Sequence, residues 1–383
     1  MRSSWLDIHQ QRRITINVLM LFNRMNIGGT EYYVLNLARA LKGLGVHVGI
    51  AAHSGPLTAE FLKHDIPVHL FPPNAKHSEM VSMLTKTIKT KSYQLIHAHD
   101  TLGYRLTATL LRISKVTSVL TVHGRYHGVP PLLEAAKSAS KIIVVTQRLQ
   151  AWVRSLNIPA SKVVHIPIGI DTVRFSPQSR AQCRRKLAIP RGWEVTAYAS
   201  RFDRDKYPIA RKVISAGEAV ALKREKSIFV LAGPGAYRKH LIKQAETANR
   251  RIGRRAIIVK PAVRQIQYLY GAADVIVATG TVANEAMSCG KTIIAAGVKG
   301  YFGIVTPSNL KESLYNQFGD HGGKDPVTAA KLARDIRTVL SNQQWAKELG
   351  TMGREMTVQR YSVNNVSRRI RSLYIQTVKK GYS

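Results

Sequence analysis

Two series of short, β-branched apolar runs, each run followed by a helical segment, constrain this chain more than any other feature of its sequence. Residues 14–22 (ITINVLMLF) carry no charge and lead to the glycine pair Gly28-Gly29, the pattern of a strand covered on both faces. Residues 31–44 then place Val34, Leu35, Leu37, Ala38 and Leu41 at helical spacing and stop at Gly43 and Gly45. Strand-like runs recur at 46–52, 94–97, 118–122, 141–146 and 163–166. The second series runs through 194–199, 227–232, 256–259, 274–278 and 291–295, and after Asp325 the pattern is helical to the end. Such alternation predicts an α/β chain of two Rossmann-like, doubly wound parallel-sheet domains facing a cleft. The expected extents are 1–180, a linker at 181–192 inside the Pro-rich basic stretch 175–192, a second domain at 193–355, and a closing segment at 356–383. Ligands of such sheets sit at the carboxyl ends of the strands, so the cleft is the expected site.

Charge narrows the partners. The chain has 383 residues, with 58 Lys and Arg against 22 Asp and Glu, a formal charge of +36. Up to residue 180 the counts are 22 basic and 8 acidic, leaving 36 and 14 beyond it, so no detachable basic arm carries the excess. A hydrophobic fraction of 45% excludes a disordered basic tail protein. Nucleic acid, an anionic membrane and phosphorylated ligands all suit such a charge. The apolar run at 14–22 is too short to span a bilayer, and no small-residue cleavage site follows it, so neither a membrane span nor a signal peptide is expected. Two cysteines, Cys183 and Cys289, make no disulfide framework and suit a reducing cytoplasm.

Four features carry chemistry. Residues 26–31 (NIGGTE) join the first strand to its helix, where Gly28 and Gly29 let backbone N–H groups approach an anion; a plain turn capped by Thr30 is the alternative. The G-x-G-x-x-G dinucleotide spacing is absent. Arg201 and Lys206 follow the first strand of the second series and can clamp a diphosphate, or form a solvated basic loop. Asp203 and Asp205 have D-x-D spacing but are interleaved with cations, which disfavours a metal there. Gly233 and Gly235 close the next strand, at a tight turn or against a ligand. Glu285 opens the segment 285–291 (EAMSCGK) as a carboxylate able to accept from a ribose diol, or simply to face a helix dipole. His97, His99, His123 and His127 lack the H-x3-H pair and carboxylate set of a zinc site, and no metal is expected.

Taken in order, these segments resemble glycosyltransferase family 4, the large retaining family of GT-B fold. Gly28, Gly29 and Glu31 match its first loop; His97, His99 and His123 match its N-terminal signatures. Gly169, Ile170 and Asp171 with Phe175 and Pro177 resemble its pre-linker segment. Arg201 and Lys206 keep its R…K separation, Gly233 and Gly235 its G-x-G turn, and Glu285 the last glutamate of its E-x7-E motif. The tail, from Arg354 through Tyr361 to Tyr374, is similar to a helix that crosses back over the N-terminal domain. The likeness covers about residues 14–377.

The resemblance implies that Arg201 and Lys206 hold the donor pyrophosphate and Glu285 the nucleotide ribose. Gly28 and Gly29 would close on phosphate or sugar, and His123 would meet the donor sugar. Base contacts would come from the segment Lys260 to Val263. It implies a UDP-sugar substrate, no cofactor, no metal and a retaining transfer. Two positions depart: Ile168 stands where asparagine is common, and Val277, eight residues before Glu285, where a second glutamate usually contacts the sugar. Gly280 and the stretch Gly297, Lys299, Gly300 resemble a branch associated with bacterial surface polysaccharide and spore coat, whose backbone amides would take over part of that contact. The expectation is a cytoplasmic enzyme, peripheral at the inner face of the membrane, acting on a glycan or lipid-linked acceptor. A non-catalytic scaffold in a coat and a non-specific nucleic-acid binder are the rival readings; the chain holds no zinc-finger, RRM or helix-turn-helix pattern.

Overall fold

The computed structural model describes residues 15–263, 265–323 and 325–381. They form two compact units, residues up to Gly169 with 363 onward, and Ile170–Ser362. Ile14, the expected start of the first strand, and residues 382–383 of the closing segment lie outside the described residues.

The first unit is a seven-stranded sheet of β1 (Ile16–Arg24), β2 (Val46–His53), β3 (Val68–Leu70), β4 (Leu95–Ala98), β5 (Thr117–Val122), β6 (Lys141–Val144) and β7 (Val163–His165). Its order is β3-β2-β1-β4-β5-β6-β7 and every pairing is parallel. Because β1 is central, Val18 and Met20 enter one core while Leu19 and Leu21 enter the other, which is why its apolar run is unbroken. The helix Val363–Gly381 packs here through Val366, Ile370 and Tyr374. It begins at Val363, later than the expected 356, because Ser362 leaves helical geometry and ends the preceding helix Gln343–Tyr361.

In the second unit β8 (Glu194–Ala199), β9 (Ser227–Ala232), β10 (Ile257–Lys260), β11 (Val275–Ala278), β12 (Thr292–Gly297) and β13 (Gly300–Ile304) form a sheet of order β10-β9-β8-β11-β12-β13. The first five strands are parallel. β13, a strand beyond the expected series, adds an antiparallel edge: it returns along β12 through the turn Val298-Lys299, since a two-residue connection can make only a hairpin. Both sheets reverse direction of winding beside their central strand, at β1/β4 and at β8/β11, the places where such sheets take ligands.

The stretch 181–192 is not a free linker. It carries the helix Arg180–Lys186 and belongs to the second unit, with Cys183 in its core. Arg184, inside the basic stretch 175–192, is 5% exposed; it pairs with Asp274 at 2.7 Å and donates to Ala272 O at 3.1 Å. Cys183 and Cys289 are both buried free thiols. No helix among the described residues is long and apolar enough to cross a membrane.

Candidate active site

In the second unit the chain leaves β8 through Arg201 and re-enters helix at Tyr207–Ala221, with Lys206 at the N-cap. Arg201 is exposed and held by the D-x-D carboxylates, reaching Asp205 at 2.7 Å and Asp203 at 3.4 Å. Those aspartates are therefore ion-pair partners of the candidate clamp. Lys206 is only 8% exposed, and its ammonium donates to Asp320 Oδ1. Two glycines let the next loop approach. A Cβ on Gly233 would strike the Ser200 carbonyl, and Gly235, at φ +137, lies against the Phe202 backbone. Phe202 N donates to Pro234 O at 2.6 Å, fixing the β8 and β9 loops together. Lys260 ends β10, where its carbonyl accepts from Gly233 N at 3.3 Å, and Val263 packs partly buried on the same core.

Only Thr279 separates β11 from the helix Gly280–Ser288. Gly280 has φ +56, a conformation that favours glycine, and so turns the chain sharply into the helix. Glu285 lies one turn further on, half-buried, and accepts from Tyr270 Oη at 3.0 Å. Burial pushes its carboxyl up to about 7, against the lowering effects of Tyr270 and Arg174.

This short connection corrects the reading of Val277. The residue is 0% exposed in β11, paired in register with Tyr198 and Ile294, so no side chain at this position reaches the loops. Counting back from Glu285 lands in the strand because the connection is too brief to hold a sugar-facing residue. The glycine stretch also differs from expectation. Gly297 and Gly300 pair across the hairpin. Two amides of this stretch are engaged within the protein: Lys299 N donates to Gly319 O at 2.8 Å and Val298 N to Asp320 Oδ1 at 3.4 Å. The Lys299 side chain is exposed at the turn.

Gly28, Gly29 and His123 belong to the first unit. Gly28 is the extended N-cap of the helix Gly29–Gly43, and a Cβ there would collide with the Glu31 carboxylate; Gly29 faces open space. Asp100 caps the helix Thr101–Ile113 through Gly103 N at 2.9 Å and accepts from Asn23 N at 2.6 Å, tying the ends of β1 and β4. His123, half-exposed beyond β5, contacts His99 through Nε2 to Nδ1 at 3.3 Å, with the Tyr33 ring edge-on at 4.7 Å. Behind them His97 is bonded to Tyr374 Oη at 2.5 Å and to Thr121 Oγ1 at 2.6 Å. Burial first, and neighbouring imidazoles second, hold His97 down to about 3 and His99 and His123 well below the usual imidazole range. Ile168, the other departure, packs partly buried against both cores of this unit.

The fold is shared with solved GT-B enzymes. Anabaena HepE in complex with UDP superposes with a TM-score of 0.75 at 19% identity, over 95% of this chain and all (100%) of that one. A glycosyltransferase from Rickettsia africae gives 0.77 at 18%, over 95% and 99%. The Glycosyltransferase Family 4 model matches residues 27–174, and the Glycosyl transferases group 1 model residues 179–356. The chain is a GT-B glycosyltransferase of the family 4 type. This glycosyltransferase is 24% identical over 365 residues to the D-inositol 3-phosphate glycosyltransferase of Saccharomonospora viridis, covering 82% of the chain and 83% of its relative. It is 28% identical over 174 residues to TuaC of Bacillus subtilis, a glycosyltransferase assigned to teichuronic acid biosynthesis; that alignment spans 41% of this chain and 43% of TuaC, less than half of each. Sequence reasoning missed Asp320 and Tyr270, the partners of Lys206 and Glu285 in this glycosyltransferase: Asp320 lies 114 residues from Lys206, and Tyr270 sits on a separate helix, Ile266–Ala272, 15 residues before Glu285, with no motif linking the two.

Proposed function

We propose that this enzyme transfers a sugar from a UDP-sugar, with retention and without a metal, to a cell-surface glycan or lipid-linked acceptor. The observation that carries the reading is the cation pair Arg201 and Lys206 at the β8/β11 reversal, beside a helix that opens at Gly280. A helix N-terminus and fixed cations favour a diphosphate and most of all its departing, more negative form. Glu285, one helical turn on, is placed to accept from the ribose hydroxyls. The bond from the anomeric carbon to the diphosphate oxygen breaks, the acceptor oxygen bonds on the same face, and its proton passes to the departing diphosphate. The protein's part is then orientation and charge, with no cofactor. HepE, the structural relative solved with UDP, supports the base named here, and TuaC supports an envelope acceptor.

The charge of +36 suits an anionic leaflet at the cytoplasmic face, where each Lys or Arg near the surface contributes about 1 kcal/mol. The departures at Val277 and Ile168 would favour the scaffold reading, but Val277 is a sheet-core residue whatever the chemistry and gives it no support. A thermal-shift screen tests the proposal: UDP and UDP-sugars raise the melting temperature more than ADP or GDP do, since a ligand of the folded state stabilises it. Equal, negligible shifts for all nucleotides would count against it.

A further inference from the structure

We propose that Asp320 is a specificity-determining residue that reads the hydroxyls of the sugar carried on the diphosphate; this rests on the nucleotide-sugar reading above and deepens it. The chain reaches Asp320 through three consecutive left-handed residues, Gln317 at φ 51, Phe318 at φ 55 and Gly319 at φ 100. Two of them are not glycine, a costly arrangement that persists only where surrounding contacts impose it, and such strain concentrates at ligand sites. The contacts here are specific. Phe318 is wholly buried, Thr279 Oγ1 donates to Gln317 O at 3.0 Å, and Lys299 N donates to Gly319 O at 2.8 Å. Gly297 meets Gly319, and Gly300 meets Gly323, backbone to backbone, so closely that a Cβ on any of the four would collide.

What these contacts hold in place is one carboxylate. Asp320 Oδ1 accepts from Lys206 and, at 3.4 Å, from Val298 N. Oδ2 lies over Gly280, where a Cβ would come within 3.3 Å, and accepts no hydrogen bond among the described residues. A bare anion binding at Lys206 would be repelled by this oxygen. A diphosphate that carries a polyol is not: its phosphates take the cations and the helix N-terminus, while its hydroxyls donate to Oδ2. Asp320 thus supplies, from the segment after β13, a sugar-facing acceptor that the one-residue connection after β11 cannot hold.

The test is titration calorimetry of wild type, Asp320→Asn and Asp320→Ser with UDP and with UDP-glucose, UDP-galactose and UDP-N-acetylglucosamine. UDP binding in each variant shows that the site is folded. Both variants are expected to keep or tighten UDP binding, because a negative charge beside the diphosphate is gone. The ratio of UDP-sugar to UDP affinity, taken for the sugar wild type binds best, should fall by about tenfold, the loss expected for a hydrogen bond to a charged acceptor. A ratio unchanged within about twofold of wild type, with UDP still bound, would overturn the role of Asp320 alone. Failure of wild type to bind UDP would overturn the nucleotide-sugar reading with it.

Discussion

Tyr270 donates its phenolic proton to Glu285 Oε2 at 3.0 Å, inside a core where Tyr270 is 1% exposed. That bond favours the carboxylate over the acid and so opposes the burial that holds Glu285 up at about 7. A ribose diol needs the ionised form as its acceptor. UDP affinity should therefore fall as pH drops below about 7, approaching tenfold per unit, and calorimetry at pH 8, 7 and 6 checks this. Tyr270→Phe should push the Glu285 carboxyl higher still and move the fall to higher pH. Affinity independent of pH over that range would remove Glu285 from the ribose site.

Three imidazoles of the first unit, His97 and His99 buried and His123 partly so, should make it acid-sensitive. His97, His99 and His123 have depressed proton affinities in the folded chain, whereas an unfolded imidazole protonates near pH 6.5. The unfolded state thus binds more protons below that pH, and the stability present above it is lost as pH falls. Each group contributes up to about 1.4 kcal/mol per pH unit in that window. Urea melts at pH 7, 6 and 5 should show a steep loss; a flat profile would mean that these rings protonate in place.

His123 should present a protonated Nδ1 to its ligand. His99 Nε2 is buried without a partner, and an orphaned N–H in a dry core is rarer than an orphaned acceptor. His99 therefore carries its proton on Nδ1 and donates it to His123 Nε2, leaving the other nitrogen of His123 as the donor. Nitrogen-15 chemical shifts of the histidine rings report the tautomer directly, and an Nε2–H form of His123 would contradict the assignment.

Restoring a glutamate at position 277 should harm the protein. Val277 is fully buried between β8 and β12, so Val277→Glu places an unpaired carboxylate in the sheet, at a cost of about 3–5 kcal/mol. The thermal midpoint should drop sharply with no gain in UDP-sugar affinity. A variant that melts like wild type and binds donor better would mean that the side chain reaches the loops.

Much of this arrangement is legible before any coordinates. β1 stands out because a central parallel strand, covered on both faces, writes itself as an apolar run, here Val18 to Phe22. β3 is three half-exposed residues at a sheet edge, and β13 is a glycine-rich return, so neither leaves such a run. Arg201, Lys206 and Glu285 are visible because strand ends and helix starts are where this fold keeps its ligands. Asp320 is not: it lies 114 residues from Lys206, and glycine backbones that pack without side chains place it. The net charge misleads for a related reason. A count of cations cannot show that Arg184 is buried on Asp274 or that Arg254 caps the carbonyls of Ser227, Ala221 and Arg224.

The central claim is that the carboxyl edge of β8 and β11 holds a nucleoside diphosphate on Arg201 and Lys206. Calorimetry with UDP on wild type and on Arg201→Ala tests it most directly. Arg201 is exposed and its pairs with Asp203 and Asp205 are surface pairs, so its removal should leave the fold intact. Wild type should bind UDP, and Arg201→Ala should bind it at least about tenfold more weakly with an unchanged melting temperature. No binding of UDP, GDP or ADP to wild type, or equal affinity in the variant, would contradict the account.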